Sequence, residues 1–148
     1  IGKNCNRIKQ KIEKRSILFS EIKLNQSKGD FSCLIIDNIG MLSSLYSYCT
    51  LAYVGGGMGK AGLHNTLEPA SFAKPVIIGK NYKTFDEARM MIKNGGMISV
   101  SNYKEFNNSF EKVLSNKDEL NRMSNSNSDY FRKQKGAINL ILNHIKNE

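Results

Sequence analysis

The residues best suited to chemistry lie in one stretch, VGGGMGKAGLHNTLEPA, from Val54 to Ala70. It contains a histidine, an isolated glutamate and five glycines: His64, Glu68, Gly55, Gly56, Gly57, Gly59 and Gly62. Glycine inside a regular element lowers stability, so such a cluster needs a reason. Two interpretations compete: a flexible surface turn, or a loop whose backbone comes close to a ligand.

As a strand, loop and helix in that order, the stretch has the chemistry of a nucleotide site. The glycines allow positive φ angles and present N–H groups to an anion. His64, Asn65 or Thr66 can cap the following helix, whose N-terminus favours a phosphate. Glu68 in its first turn repels phosphate, but it can accept hydrogen bonds from both hydroxyls of a ribose. Phosphate on the amides and ribose on the carboxylate together describe a nucleotide.

Each residue also has an interpretation without a ligand. The glycines can form a mobile loop, and Glu68 is favourable in a first helical turn by itself. His64 alone is more often a cap or a surface residue than a catalyst. The order of the stretch, a strand, then glycines, then His-Asn-x-x-Glu-Pro, is what favours a ligand site.

Other phosphate and metal motifs do not fit this chain. The glycines lack the G-x-G-x-x-G spacing that opens a long helix, and Ala61 stands where a P-loop requires Ser or Thr. Three cysteines, Cys5, Cys33 and Cys49, form no CxxC pair, so we expect neither a zinc site nor a disulfide framework. Apolar neighbours predict that Cys33 and Cys49 are buried thiols, and a reducing, cytoplasmic setting fits best. We expect no metal and no cofactor.

Short apolar runs alternate with helical patterns along the chain. Strands are predicted at 15–19, 32–36, 51–54, 75–78 and 97–100. Helices are predicted at 4–14, 39–49, 66–73, 84–93, 103–114, 117–133 and 137–146. Thr84 with Glu87 has capping-box spacing for the fourth of these helices, and Asn94-Gly95-Gly96 ends it. A polar connection is predicted at 25–30, and the Ser/Asn cluster at 124–128 weakens the helix that contains it.

Continuous apolar strands predict a parallel sheet with helices on both faces, an α/β domain of Rossmann-like, doubly wound type. We find no repeat and no linker, so residues 1–148 are expected to form a single domain. In such sheets ligands bind beyond the carboxyl ends of the strands. Both the glycines after Val54 and the run Asp37-Asn38-Ile39-Gly40 lie at such ends.

The chain carries 22 lysines and arginines against 13 aspartates and glutamates, a net charge of +9. Such a surface attracts nucleic acid, acidic lipid headgroups or phosphorylated substrates. Aromatic residues are not interleaved with the basic ones as a surface for single strands requires, so no nucleic-acid partner is expected. No apolar run approaches the roughly 18 residues that span a bilayer.

Two segments resemble a known family: IIDNIGMLSSLYSYCTLAYVGGG and GLHNTLEPASFAKPVIIGKNYKTFDEA. They look like the C-terminal half of the 3-deoxy-D-manno-octulosonic acid (Kdo) transferases, glycosyltransferases of lipid A biosynthesis in Gram-negative bacteria. The Asp-Asn-x-Gly turn, the Leu-Tyr helix, the Gly-Gly loop, His-Asn-x-Leu-Glu-Pro and Pro-Val-Ile-x-Gly follow the family order. The resemblance covers residues 15–101 and continues weakly to KGAINLIL.

The resemblance implies the donor-binding C-terminal half of a GT-B enzyme, with CMP-Kdo as donor and an inverting transfer that needs no metal. An N-terminal domain would bind the lipid A precursor and carry the catalytic carboxylate, at the cytoplasmic face of the inner membrane as a peripheral protein. On that pattern Glu68 holds the ribose hydroxyls, and the Ile39-Gly40-Met41 turn borders the cytosine. The phosphate and the donor sugar face Asn65, His64 and the amides of Gly55, Gly56 and Gly57, with Thr66 beside them.

The sequence departs from the family at several positions. The family often has Ser at Gly57, Gly at Leu63, Pro at Thr66 and Glu at Met41. Its donor domain also begins with two strands and a basic Pro-Arg-His type loop, which do not occur before Arg15. We therefore expect a donor domain truncated at its N-terminus, with an exposed sheet edge and no transfer activity by itself.

Three alternatives stay open at this point. The chain can be the donor domain of another GT-B enzyme that uses a UDP-sugar. It can be a non-catalytic α/β module that binds a nucleotide or a partner. It can also be a basic module for membrane surfaces or nucleic acid, whose affinity would fall steeply with salt.

Overall fold

The computed structural model describes residues 2–12, 15–25, 29–60, 62–134 and 144–145. The chain divides into two compact units, Ile1–Ser44 and Leu45–Glu148. Each of the five predicted strands is present, with bounds that differ by at most one residue from the prediction. The predicted helix at 137–146 lies almost wholly outside the described residues.

The first unit contains two helices and two strands: α1 (Gly2–Lys11), β1 (Ser16–Leu18), α2 (Phe19–Asn25) and β2 (Cys33–Ile35). The strands are parallel, with Ser16 opposite Cys33. Cys5, Ile17 and Leu18 are its buried apolar residues. The helix α2 was not predicted, because its sequence, FSEIKLN, is too short to show a clear helical period.

An ion pair between two half-buried side chains joins α1 to α2 in this unit. The Lys9 ammonium lies 2.6 Å from a Glu21 carboxylate oxygen, which also accepts the Leu18 N–H at 3.0 Å. The Lys9 hydrogen bond holds the pKa of Glu21 below its ordinary value. The polar residues of α2 are therefore used to orient it against β1.

The second unit contains a parallel sheet of three strands in the order β3 (Ala52–Val54), β4 (Val76–Gly79) and β5 (Met97–Val100). Val76, Ile77 and Ile78 of the central strand are fully buried. An unbroken apolar run is what a strand covered on both faces requires, so the predicted fold class is confirmed. Val54, Ala70, Ile78 and Met91 belong to the core that this sheet forms with its helices.

The helices after β2 are α3 (Leu42–Tyr48), which crosses the boundary between the two units, α4 (Leu67–Ser71), α5 (Asp86–Asn94), α6 (Tyr103–Ser115) and α7 (Lys117–Gln134). The predicted Thr84 cap is wrong, because α5 begins after Phe85 and has no side-chain cap. Phe85 donates its N–H to the Tyr82 carbonyl at 2.9 Å, and both rings pack against the core. This turn delays the helix by two residues. Its predicted end is confirmed by Gly95, which has a φ of +83°.

The polar cluster in α7 does not interrupt that helix. Asn127 is fully buried, and its Nδ2 donates to the carbonyls of Lys74 at 2.8 Å and Gly96 at 2.9 Å. The cluster therefore ties α7 to the ends of the segments that enter β4 and β5. In the described part of the chain, no helix is both long and apolar enough to cross a membrane.

The prediction of buried thiols is wrong for Cys33 and Cys49, which are only partly buried, whereas Cys5 is buried. Cys33 begins β2 and Cys49 follows α3, and neither of these short elements contains a fully buried residue. Burial nevertheless raises the pKa of Cys49 above its ordinary value, which disfavours the reactive thiolate.

Candidate nucleotide-binding site

The glycine loop leaves the sheet at the carboxyl end of β3 and closes on itself. The His64 N–H donates to the Gly55 carbonyl at 3.1 Å. Gly56 has a φ of +90°, and a Cβ there would lie 2.0 Å from the Gly62 carbonyl oxygen. Gly56 is therefore required both by its backbone angle and by the approach of Gly62.

The loop is also held against the end of β4. The Asn81 N–H donates to the Gly57 carbonyl at 2.8 Å, and Asn81 Nδ2 donates to the Gly59 carbonyl at 2.9 Å. A Cβ on Gly79 would lie 2.2 Å from the carbonyl carbon of Gly57. The loop backbone thus packs directly on the backbone of β4, and this contact requires glycine at 79 and leaves little room for a side chain at 57.

Packing leaves two features of the loop unexplained. Gly59 faces open space, since no atom lies within 4 Å of where its Cβ would be. Within the described residues, the N–H groups of Gly56 and Gly57 donate to no backbone carbonyl. Adjacent free N–H groups at the carboxyl end of a parallel strand are the type of donor that binds a phosphate.

The cap of α4 differs from a simple Ser/Thr cap. Thr66 occupies the N-cap position, but its side chain makes no capping hydrogen bond. Asn65 serves instead, because its Oδ1 accepts the Leu67 N–H at 3.0 Å. His64 and Asn65 are exposed, whereas Thr66 is buried and its hydroxyl has no hydrogen-bond partner among the described residues.

Glu68 lies in the first turn of α4 and is half-buried. Its charge acts on the phenol of Tyr46, on α3. Burial raises the pKa of Tyr46, and the negative charge of Glu68 raises it further. The helical spacing places Tyr46 only on one face of a helix, because nothing in the local pattern shows which element that face contacts.

The Ile39-Gly40-Met41 turn follows β2 and belongs to the first unit, whereas the glycine loop and α4 belong to the second. Ile39 is 85% exposed, and Gly40 has a φ of +96° with open space around it. The Asp37 carboxylate just before the turn accepts the Ser20 hydroxyl at 2.6 Å, which lowers its pKa. This turn is therefore an exposed surface at the carboxyl end of its own strand.

Two cavities adjoin the glycine loop. One, of about 400 Å³, follows β4 and is lined by Lys80, Asn81, Lys83 and Thr84. The other, of about 280 Å³, is mostly apolar and is lined by Tyr53, Met58, Val100, Asn102, Tyr103 and Phe106. The first suits an anion and the second suits a ring or an alkyl group. Neither cavity is predicted by the sequence pattern, because the first is formed by a turn and the second by residues of several elements.

A larger cavity, of about 560 Å³, lies between α5 and α7. Asn94, one of its lining residues, ends α5, and Gly95 and Gly96 lead from it into β5, so this cavity is at the amino edge of the sheet. Ligands of such sheets bind at the opposite edge. No group of three or more His, Cys, Asp and Glu side chains within the described ranges could hold a metal ion.

The chain is similar to glycosyltransferases over most of its length. It is 32% identical over 136 residues to a bifunctional glycosyltransferase/methyltransferase of Fusobacterium nucleatum, which covers 89% of this chain and 21% of that protein. It is 29% identical over 138 residues to the 3-deoxy-D-manno-octulosonic acid transferase of Haemophilus influenzae, which covers 91% of this chain and 32% of that protein. The chain thus spans a third or less of the length of these relatives.

The chain is also 34% identical over 88 residues to the 3-deoxy-D-manno-octulosonic acid transferase of Aquifex aeolicus. This shorter match covers 59% of this chain and 25% of that protein. The fold matches the crystal structure of the C-terminal CMP-Kdo binding domain of WaaA from Acinetobacter baumannii with a TM-score of 0.72 at 19% identity. The match covers 83% of this chain and 64% of that one. No protein-family model matches the chain. The resemblance to the Kdo transferases that the sequence motifs indicate is confirmed by these relatives.

Proposed function

We propose that this chain is the donor-binding part of a Kdo transferase and that it binds CMP-Kdo at the carboxyl edge of its three-stranded sheet. One observation carries the proposal: the free N–H groups of Gly56 and Gly57 stand at the end of β3, and the carboxylate of Glu68 follows in the first turn of α4. The similarity to Kdo transferases and to the fold of a CMP-Kdo binding domain supports it.

In the proposed complex the donor phosphate accepts hydrogen bonds from the amides of Gly55, Gly56 and Gly57. Glu68 accepts the two ribose hydroxyls, since a carboxylate is an acceptor only and can take both. The Oδ1 of Asn65 accepts the Leu67 N–H, so its Nδ2 is left to donate a hydrogen bond to CMP-Kdo. His64 and Thr66 complete this edge of the site.

The intact enzyme would transfer Kdo to a lipid A precursor with inversion, without a metal or a cofactor. We assign no catalytic residue within this sequence, because the catalytic carboxylate is expected on an N-terminal domain that also binds the acceptor. The net charge of +9 favours a peripheral position at the cytoplasmic face of the inner membrane, where acidic headgroups attract lysines.

The proposal is tested by titrating the ¹⁵N-labelled chain with CMP and following the amide chemical shifts. Shifts are expected at Gly55 to Gly57 and at Asn65 to Glu68, and the Glu68→Ala variant should lose them. Glu87→Ala is the matched control, because Glu87 also stands in the first turn of a helix that follows a strand. It removes the same charge and should leave the shifts unchanged.

UMP is the control for recognition of the cytosine base. Equal responses to CMP and UMP would contradict CMP-Kdo as donor and favour a UDP-sugar. A folded chain that responds to neither nucleotide would contradict a nucleotide site in this loop.

A further inference from the structure

The pocket that follows β4 is a cationic cavity joined to the glycine loop. It is lined by Lys80, Asn81, Lys83 and Thr84, all of which are exposed. Asn81 connects it to the loop through its two hydrogen bonds to the carbonyls of Gly57 and Gly59. A group bound in this pocket would therefore be the neighbour of a group bound on the loop.

The charges of this pocket are not used within the protein. No ion pair found in the described ranges includes Lys80 or Lys83, although five other pairs form there. No carboxylate lines the pocket. Two unpaired ammonium groups on one concave surface attract an anion, and an ammonium hydrogen bond to a carboxylate is among the stronger polar contacts.

The position of the pocket relative to the loop indicates which anion it receives. At one side the loop is bonded to the segment before α4 through Gly55 and His64, and at the other side it is bonded to the end of β4 through Gly57 and Asn81. If the ribose lies at Glu68 and the phosphate on the loop amides, the sugar beyond the phosphate extends towards Asn81. An octulosonic acid brings a carboxylate to that place.

We propose that Lys80 and Lys83 bind the carboxylate of the acidic sugar of the donor and thereby select an acidic sugar over a neutral one. This inference rests on the proposed function, because the direction of the sugar follows from the ribose at Glu68. The two lysines are specificity residues and take no part in bond breaking.

The experiment compares the affinities of CMP and CMP-Kdo, measured by calorimetry, for the wild-type chain and the double variant Lys80→Gln/Lys83→Gln. Loss of charged hydrogen bonds should weaken CMP-Kdo binding about tenfold. Binding of CMP, which has no carboxylate, should change less than about twofold by the same reasoning. The control Lys93→Gln/Lys117→Gln removes the same charge at exposed positions outside the pocket and should change neither affinity.

Each of the other outcomes contradicts one specific claim about the two lysines or the donor site. If the pocket variant has equally reduced affinities for CMP and CMP-Kdo, the lysines bind the phosphate and the carboxylate assignment is wrong. If both affinities of the pocket variant are unchanged while Glu68→Ala abolishes CMP binding, the proposed donor site is supported and the pocket has no role in it. If the wild-type chain does not bind CMP, the proposed function fails, and the carboxylate assignment fails with it.

Discussion

Thr66 is the residue whose chemistry is least explained by packing. Its side chain is 1% exposed and its hydroxyl has no partner in the described part of the chain. A buried hydroxyl without a hydrogen bond costs free energy, because it has left water without compensation. Asn65 has taken over the capping role that a threonine at this position usually performs.

We therefore expect Thr66→Val to leave the free energy of unfolding unchanged or to raise it by up to about 1 kcal/mol, since the methyl group keeps the shape and removes the unpaired hydroxyl. Thr66→Ser, the control, keeps the hydroxyl and removes a buried methyl, so it should lower that free energy by about 1 kcal/mol. Urea unfolding measures both. A valine variant less stable than the serine variant would show that the hydroxyl has a partner that stabilises the fold.

At this scale the sequence predicts the residue types of the site but not all their neighbours. Glu68 and Asn65 are identified by their order after a strand and a glycine run. Tyr46 beside Glu68, and the pairing of Lys80 with Lys83 around one cavity, depend on how separate segments pack. No local pattern contains that information.

The contact between the glycine loop and β4 is the element that fixes the site. Gly79 ends the central strand, and the loop backbone lies where its side chain would be. A small residue at this strand end is therefore a condition for the loop conformation. The sequence shows the glycine in PVIIGK, but only the fold shows that Gly57 is the residue it accommodates.

Gly79→Ala should lower the free energy of unfolding by about 1–3 kcal/mol, because the new Cβ overlaps the backbone of the loop. Gly59→Ala is the matched control, since its Cβ would face open space, and it should change that free energy by no more than about 0.5 kcal/mol. Urea unfolding measures the stability, and amide shifts report displacement of residues 55–64. Equal effects of the two substitutions would contradict the close contact between loop and strand.

Elements with a strong apolar pattern were predicted well, and elements set by tertiary contacts were not. The strand bounds hold because uninterrupted runs such as VII must be buried on both faces. The predicted start of α5 is wrong because Tyr82 and Phe85 pack against the core before the helix begins. The helix α2 was missed because its seven residues are too few to show a helical period, and its ion pair with α1, Lys9–Glu21, joins residues twelve positions apart.

At the scale of the whole molecule, charge and fold favour the same function. The net charge of +9 suits the proposed binding of an anionic nucleotide sugar. The parallel order of β3, β4 and β5 brings the glycine loop, Asn81 and the start of α6 to one edge of the second unit. Sequence patterns predicted the strands and the edge, whereas the strand order and the division into two units follow from long-range contacts.

The central claim is that the Glu68 carboxylate binds the ribose hydroxyls of a cytidine nucleotide. The most direct measurement is a thermodynamic cycle of calorimetric affinities for CMP and 2′-deoxy-CMP, with the wild-type chain and Glu68→Gln. We expect either change alone to weaken binding about 10- to 100-fold, as the loss of hydrogen bonds to a charged group implies, and both together to weaken it little further. Additive losses, or equal binding of CMP and 2′-deoxy-CMP by the wild-type chain, would contradict the claim.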